Sequence, residues 1–524
     1  HQVEVIERIL WLRNHIFKTL YPPTMLPNIG FLVSDMSSNL EFLINKSEYS
    51  VNALVNELGN TGKALAEAIK LINQNKIPNK FSDNKYLDIY YQERLLIESL
   101  IALYSSNNVA INIKLPLSNS SIYSKLKDIG VVDRGVNKNK INKLMLKLVN
   151  TFKDNSDVFF DYLDKKYSSN IKLVSDLPIE WSHHEGLPLM VRHEVSRIPI
   201  SPGNVSTSLL LNSEQIILNV DSFKKVKIIS SFSDDDPIKD DLKATVDFLI
   251  NQLTISKSDI TSLLDGNDKT KGMEIDPKNQ DELDISIEWN NVTTQEELMK
   301  SLRENDSAIT IFDLHGGHSE NGSGVIKLKD ELVSVYDLIG KVKISPIVIL
   351  SSCDTSPIDR NHNSTANAFF LAGAKTVLAS ALPILSREAS IFIARLLLRV
   401  KHYLPQRLKG DSGISIRWSS FVTGMIRRTF YSELLALLEE KSLIKNEEKK
   451  HLLFHVGLYL DPLDSDWHEK ILTEISAKVG FSCVDLKNLI EKEFMMPECL
   501  KYIQLGNPES IIIATEEHIP LVAS

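Results

Sequence analysis

After about residue 170 the chain carries six short runs rich in β-branched residues, "QIILNV", "KVKIIS", "DISIEW", "AITIFDL", "PIVILSS" and "KTVLAS", separated by stretches of helical pattern. Few folds accept such a series. Strands that are short and apolar on both faces suit the interior of a mainly parallel sheet, because crossover helices cover both of its sides. The stretch 241–253 is read as one such crossover. The polar run "DGNDKTKGMEIDPKNQDE" between Leu264 and Leu283 is read as an exposed loop. The expected fold class is therefore α/β over 170–430, a mainly parallel sheet flanked by helices.

On either side of this region the apolar period lengthens. From 1 to 165 apolar residues recur at helical spacing, as in Ile6, Ile9, Leu10 and Ile16, then Leu54, Leu58, Leu65, Ile69 and Leu71, then Leu95, Ile97, Leu100 and Leu103. An all-helical N-terminal domain is the expectation, and no 34-residue helix-pair repeat emerges in it. The Lys- and Asn-rich "VNKNKINKLMLKLVNTFKD" is read as the solvated face of a helix. From 431 to 524, "YSELLALLEEKSLI" and "DLKNLIEKEF" indicate a helical extension or tail. A chain of 524 residues has room for three such parts, each with a core.

Charge and cysteine usage narrow the function classes. A formal charge of −9 gives no general attraction to phosphate backbones, so no strong nucleic-acid signature is read. No apolar run is long enough for a spanning helix, and the opening "HQVEVIERILWLRNHIF" is charged amphipathic sequence rather than a signal peptide. Direct membrane association is not expected. Cys353, Cys483 and Cys499 form an odd, sparse set without CxxC or zinc spacing, which fits reduced thiols and a cytoplasmic location. The first residue is His rather than Met, which leaves an upstream segment open. No phosphate-binding or dinucleotide glycine fingerprint occurs, and no cofactor is expected.

Two strand ends can carry chemistry. "AITIFDLHGGHSENGSG" is a buried strand ending in His315, Gly316, Gly317 and His318, and "SPIVILSSCDTSP" is a second one ending at Cys353. In an open parallel sheet, functional groups gather just beyond the carboxyl ends of the strands, where a rigid scaffold holds the loops. The interval between His315 and Cys353 accommodates a strand, a loop and a crossover helix, "VYDLIGKV", that bring the second strand beside the first. Such a pair supplies acyl transfer: a thiolate attacks an amide carbonyl and an imidazole exchanges the protons. Cys353 is the candidate nucleophile and His315 the candidate general acid/base. The backbone N–H groups of Gly316 and Cys353 are the candidate oxyanion hole, since a glycine after the His lets the chain approach closely. Against this stands the plain alternative of a buried small thiol and a turn histidine.

"FDLHGG" followed by "LSSCDTS" resembles the paired His-Gly and Cys signatures of caspase-like (clan CD) cysteine peptidases, specifically the CHAT peptidase domain. "SDLPIEWSHHEGLPLMVRHEVSRIPISPG" is similar to that family's opening segment, "NAFFLAGAKTVLASALPILSREASIFIARLL" to its helix, strand and crossover after the cysteine, and "RWSSFVTGMI" to its closing segment, with Trp418, Phe421 and Gly424. The resemblance covers about 170–428. It implies a caspase-like fold and a cysteine endopeptidase acting on a protein substrate through Cys353 and His315. It further implies an effector of a bacterial defence system, switched on by an activating protein or nucleoprotein complex docked on the helical N-terminal domain. The chain departs from the family's Cys-x-Thr-Gly, with Ser356 and Pro357 after Thr355, and shows neither the caspase pentapeptide nor the usual tetratricopeptide repeats. His318 is a rival base, because the family's Gly-His-Gly also aligns with "GGHS". Two other classes stay open: a catalytically silent scaffold of the same fold, and a ligand-binding regulatory protein.

Weaker candidates complete the reading. His183, His184 and His193 lack a third-ligand pattern for a metal. The acidic run "SDDDPIKDD" is read as a solvated loop, with a cation or a basic substrate residue as the sharper alternative. Asp313 and Asp354 flank the dyad and would favour a basic side chain at the cleaved bond; Cys483 and Cys499 are read as structural.

Overall fold

The computed structural model describes residues 29–35, 85–115, 138–154 and, with short internal breaks, 170–248 and 282–519, together with isolated positions between 122 and 163. The first two helical stripes of the sequence and most of the polar run before Leu283 lie outside the described residues.

Twelve described strands form the main sheet: β1 (Phe31–Ser34), β2 (Ile111–Lys114), β3 (Asn170–Val174), β4 (Glu194–Ile198), β5 (Lys225–Ser231), β6 (Ser286–Asn291), β7 (Ile309–His318), β8 (Gly324–Lys327), β9 (Leu332–Ser334), β10 (Ile347–Ser351), β11 (Thr376–Ser380) and β12 (Tyr502–Gly506). Their order is β6-β5-β7-β10-β11-β12-β4-β3-β1-β2, with the β8–β9 hairpin growing from the far end of β7. All neighbours along that order run parallel except β11 and β12. The central strands are buried on both faces: Ile309, Ile311 and Phe312 of β7 and Ile347 to Leu350 of β10 have no exposed surface. This is the environment that continuous apolar runs require.

Packed around the sheet are α1 (Lys85–Asn107), α2 (Lys138–Asp154), α3 (Asp241–Val246), α4 (Thr365–Leu371), α5 (Ser386–Leu398), α6 (Trp418–Glu440), α7 (Asn446–Tyr459), α8 (Trp467–Val479) and α9 (Cys483–Glu493). Side-chain caps set several helix starts: Ser364 accepts from the Asn367 N–H before α4, and Ser482 from the Asp485 N–H before α9. Buried Ile141, Met145, Leu148, Val149 and Phe152 form the inner stripe of α2, leaving Lys140 and Asn150 exposed, as the solvated-face reading expects. No helix among the described residues is long and apolar enough to cross a membrane.

The α/β sheet, its flanking helices and the helical C-terminal region match the sequence reading, with four differences. "QIILNV" forms Ile216–Asn219, which joins Ser415–Arg417 and Ile511–Ala514 in a separate three-stranded sheet. "VYDLIGKV" is one tight 3-10 turn, Val335–Leu338, soon followed by Gly340 at φ 72, so a hairpin and a turn connect β7 to β10 in place of a helix. Segments read as helical also supply strands: β1 and β2 lengthen the sheet beyond β3, and β12 inserts between β11 and β4. Runs of four or five residues are too short to stand out against long helical stripes. Finally, α1 buries Ile97, Ile101 and Tyr104, spaced by four and three, while Leu95 and Leu103 are exposed; the stripe was read out of phase.

A polar knot joins these distant segments. The buried Glu509 carboxylate accepts from Lys172 Nζ of β3 at 2.8 Å, Ser196 Oγ of β4 at 2.8 Å and Tyr104 Oη of α1 at 3.0 Å. A buried charge is tolerated only when paired and hydrogen-bonded in this way.

Candidate active site

The ends of β7 and β10 define the site. Their parallel register pairs Asp313 with Ser351, so His315 and Cys353 each follow two residues later on neighbouring strands, at the carboxyl edge of the sheet. β7 continues beyond β10 as the His315–His318 stretch, paired antiparallel with Lys327 to Gly324 of β8. The two strand ends touch through Gly316, where an added Cβ would lie 2.2 Å from the Cys353 carbonyl oxygen. The glycine is there for close approach, as the sequence reading expected, and not for an unusual backbone angle.

The chain after Cys353 is held from below. Ser356 N–H donates to Ser380 O at 3.0 Å, Ser380 N–H to Thr355 Oγ1 at 3.1 Å, and Ala366 N–H at the start of α4 to Thr355 O at 3.0 Å. Thr355 and Ser356 are buried, so Ser356 fits where the family has glycine. Asp354 and Pro357 lie outside the described residues. The Cys353 thiol is partly buried, with Sγ 3.4 Å from both the N–H and the carbonyl of Ile384.

His315 has a carboxylate partner that the sequence reading did not assign. Its Nε2 lies 2.6 Å from Asp236 Oδ2, with the imidazole side chain 40% exposed and the carboxylate 12%. Phe232 meets the imidazole edge-on at 5.3 Å between centroids. Burial pushes the Asp236 carboxyl up, but the His315 hydrogen bond, the Ile238 N–H and the positive charge near it outweigh this and leave it below the usual range. Asp236 is therefore ionised and accepts, so Nε2 carries a proton, and in the neutral tautomer of the imidazole Nδ1 is the nitrogen with the lone pair. Asp236 belongs to "SDDDPIKDD", whose aspartates differ in their partners: Asp234 bridges Lys239 and Lys329, while Asp236 meets the histidine. The legible signal was its position, just after β5 at the same sheet edge as His315.

Beneath the two strand ends lies a buried acid. Asp313, also on β7, is buried, and desolvation pushes its carboxyl up to about 7; Ser351 opposes the rise and Asp241 adds to it. Tyr502, from β12, is buried close enough to Cys353 and Asp313 for both to raise its phenol further, burial being the main cause. At neutral pH Asp313 is therefore only partly ionised. A raised carboxyl binds its proton in the folded state before the unfolded chain does, so stability is lost as pH rises from about 4 through 7. We expect Asp313→Asn to flatten the fall in urea midpoint between pH 5 and pH 8, recovering on the order of 3–4 kcal/mol at pH 8. An unchanged pH slope would show that this carboxyl is not the buried acid.

The other sequence candidates fall elsewhere. His318 occupies the last register position of β7, opposite Gly324, three residues beyond His315. His184 Nδ1 and His193 Nε2 are 3.2 Å apart, and burial pushes His193 well down and His183 to about 4, which describes neutral packed imidazoles. No group of three His, Cys, Asp or Glu residues able to hold a metal occurs among the described residues. Cys499 is fully buried, and burial raises its thiol; Cys483 opens α9 and is partly exposed.

A histidine held by a carboxylate and a cysteine thus stand on adjacent strand ends at the carboxyl edge of a parallel sheet. Residues 285–407, from just before β6 to just beyond α5 and including both residues, match the family model of the CHAT domain. The similarity to the CHAT domain thus spans less of the chain than the resemblance in sequence covers. No curated protein matches the chain. The solved complex of Porphyromonas gingivalis RgpB pro- and mature domains is similar over 74% of this chain and 75% of that one, at 9% identity and a TM-score of 0.32.

Proposed function

We propose that the protein is a cysteine endopeptidase that cleaves a protein substrate through Cys353 and His315. The observation that carries the reading is the β7–β10 register, which sets the two residues on adjacent strand ends, together with the carboxylate on the far nitrogen of the imidazole. With Nε2–H spent on Asp236, Nδ1 takes the thiol proton as Sγ attacks the scissile carbonyl. The oxyanion is held by the backbone N–H groups of Gly316 and Cys353. Collapse of the tetrahedral intermediate passes the proton from Nδ1 to the leaving amine and leaves a thioester. Water, deprotonated by the same nitrogen, then releases the acid and restores the thiol. Asp236 stays ionised throughout and steadies the imidazolium that forms twice per cycle.

The reading extends to control. The Cys353 thiol donates to the Ile384 carbonyl, so movement of the Ile384 loop by a bound partner would change what the thiol meets, which suits an effector awaiting a partner. Following the family resemblance, that partner is an activating protein or nucleoprotein complex bound by the N-terminal segment, in a bacterial defence system.

The test is labelling of the full chain with an electrophilic acyl probe, with and without lysate from the source cell, followed by peptide mapping. Label is expected at Cys353 well above Cys483, and lost in Cys353→Ala. If Cys353 labels no faster than Cys483, even with lysate, the site is not a peptidase nucleophile and the scaffold reading replaces it.

A further inference from the structure

Three arginines meet in one cavity. It measures about 370 Å³, within the range of small-molecule sites, and lies between α5, the turn that follows it, α6 and α7. Arg395, Arg399 and Arg428 line it, with Leu398, Met425 and Leu453 as its apolar wall. None of the three guanidinium groups forms an ion pair with a carboxylate among the described residues. Arg395 donates from Nη2 to Ser432 Oγ at 3.1 Å, and Arg399 from Nε to the Phe421 carbonyl at 3.1 Å. Among the described residues, Glu282 approaches the lining at His402, with Oε1 3.3 Å from Nδ1.

The cavity is built to hold Arg399. After α5 the helix widens into a π-turn, Arg399–Tyr403, a local irregularity frequent at functional sites. It sets the guanidinium 3.7 Å over the Tyr403 ring and 5.3 Å from that of Phe421. Gly424 of α6 completes the seat: a Cβ there would lie 2.6 Å from Arg399 Nη2. This explains the glycine in "RWSSFVTGMI" by close approach of a cation. Arg395 and Arg399 are half-buried and Arg428 is exposed, so the seat gathers three cations that repel one another, and burial lowers the Arg399 guanidinium to about 10, with Arg428 adding to the fall and Tyr403 opposing it. Burial, and then Arg395, lowers Arg428 likewise.

We propose that this cavity is a binding site for a phosphate-bearing small molecule, its anionic group held by Arg395, Arg399 and Arg428 and its less polar body against Leu398, Met425 and Leu453. Guanidinium forks match phosphate oxygens in geometry and charge, and an anion supplies the ion pairing that none of the three has with a carboxylate among the described residues. The cavity shares no residue with the Cys353 site, so the inference stands whatever that site does.

The test is calorimetric titration and thermal shift of the full chain with three probes: pyrophosphate, ATP and adenosine. Pyrophosphate or ATP is expected to bind one site per chain and raise the melting temperature, and adenosine to do neither. Tighter binding of ATP than pyrophosphate would assign a nucleoside phosphate, and equal binding the phosphate group alone. Arg428→Gln and Arg395→Gln should each weaken binding by about tenfold or more, while Arg407→Gln, an exposed arginine nearby, should not. Arg428 and Arg395 are changed separately because either variant can be checked for folding by circular dichroism. The proposal is overturned if neither phosphate probe binds the wild type, or if binding survives unchanged in both variants.

Discussion

Removing the His315 imidazole is expected to slow acylation of Cys353 by about 10²–10⁴-fold, the range a positioned general base contributes. His318→Ala, by contrast, should leave the rate within about threefold, because the carboxylate that fixes a tautomer belongs to His315. Asp236→Asn should fall between them, at about 10–100-fold, since the imidazole remains but loses the group that orients it and steadies its charged form. The measurement is the second-order rate constant for probe labelling of Cys353 between pH 5 and 9 in the four proteins. Slow labelling in His318→Ala with a normal rate in His315→Ala would exchange the two roles. Equal rates in Asp236→Asn and the wild type would reduce the 2.6 Å contact to packing.

How much of this was legible follows from the length over which each pattern extends. The central strands and the two strand ends were readable, because β7 and β10 are continuous apolar runs whose first polar residues mark the sheet edge. The pairing of His315 with Cys353 needed only the assumption that consecutive parallel strands become neighbours, and β7 and β10 do. Asp236 was in view but ambiguous: three consecutive aspartates look alike in sequence, and only the turn after β5 separates Asp234 on its lysines from Asp236 on the imidazole. Tyr502 was not legible at all. It reaches the floor of the site because β12, far along the chain and inside a helical region, pairs antiparallel with β11, opposing Tyr502 to Ser380. Likewise nothing in "IARLLLRVKHYL" signals that a π-turn breaks the register and gathers three arginines; that depends on which residues α6 presents opposite.

The tightest constraint in the site is at Gly316, and a single methyl group tests it. In Gly316→Ala the new Cβ would lie 2.2 Å from the Cys353 carbonyl oxygen and 3.2 Å from Thr355 Cγ2. The first contact is with backbone, so no side-chain rotation relieves it; β7 and the Cys353 loop must separate. The loop in turn cannot retreat without breaking the hydrogen bonds of Thr355 and Ser356 to Ser380 and Ala366. An overpacked position of this kind costs about 1–3 kcal/mol. The functional loss should be larger, because displacement of the nucleophile by about 1 Å costs on the order of 10² in rate. Gly317→Ala is the matched control. Its added Cβ meets nothing within 4 Å, and the substitution removes the same backbone freedom from the unfolded chain. Gly317→Ala is therefore expected to hold or slightly raise the urea midpoint and to keep the labelling rate near wild type, while Gly316→Ala lowers both. If the two alanine variants unfold and react alike, the approach of the two strand ends is not what fixes the nucleophile.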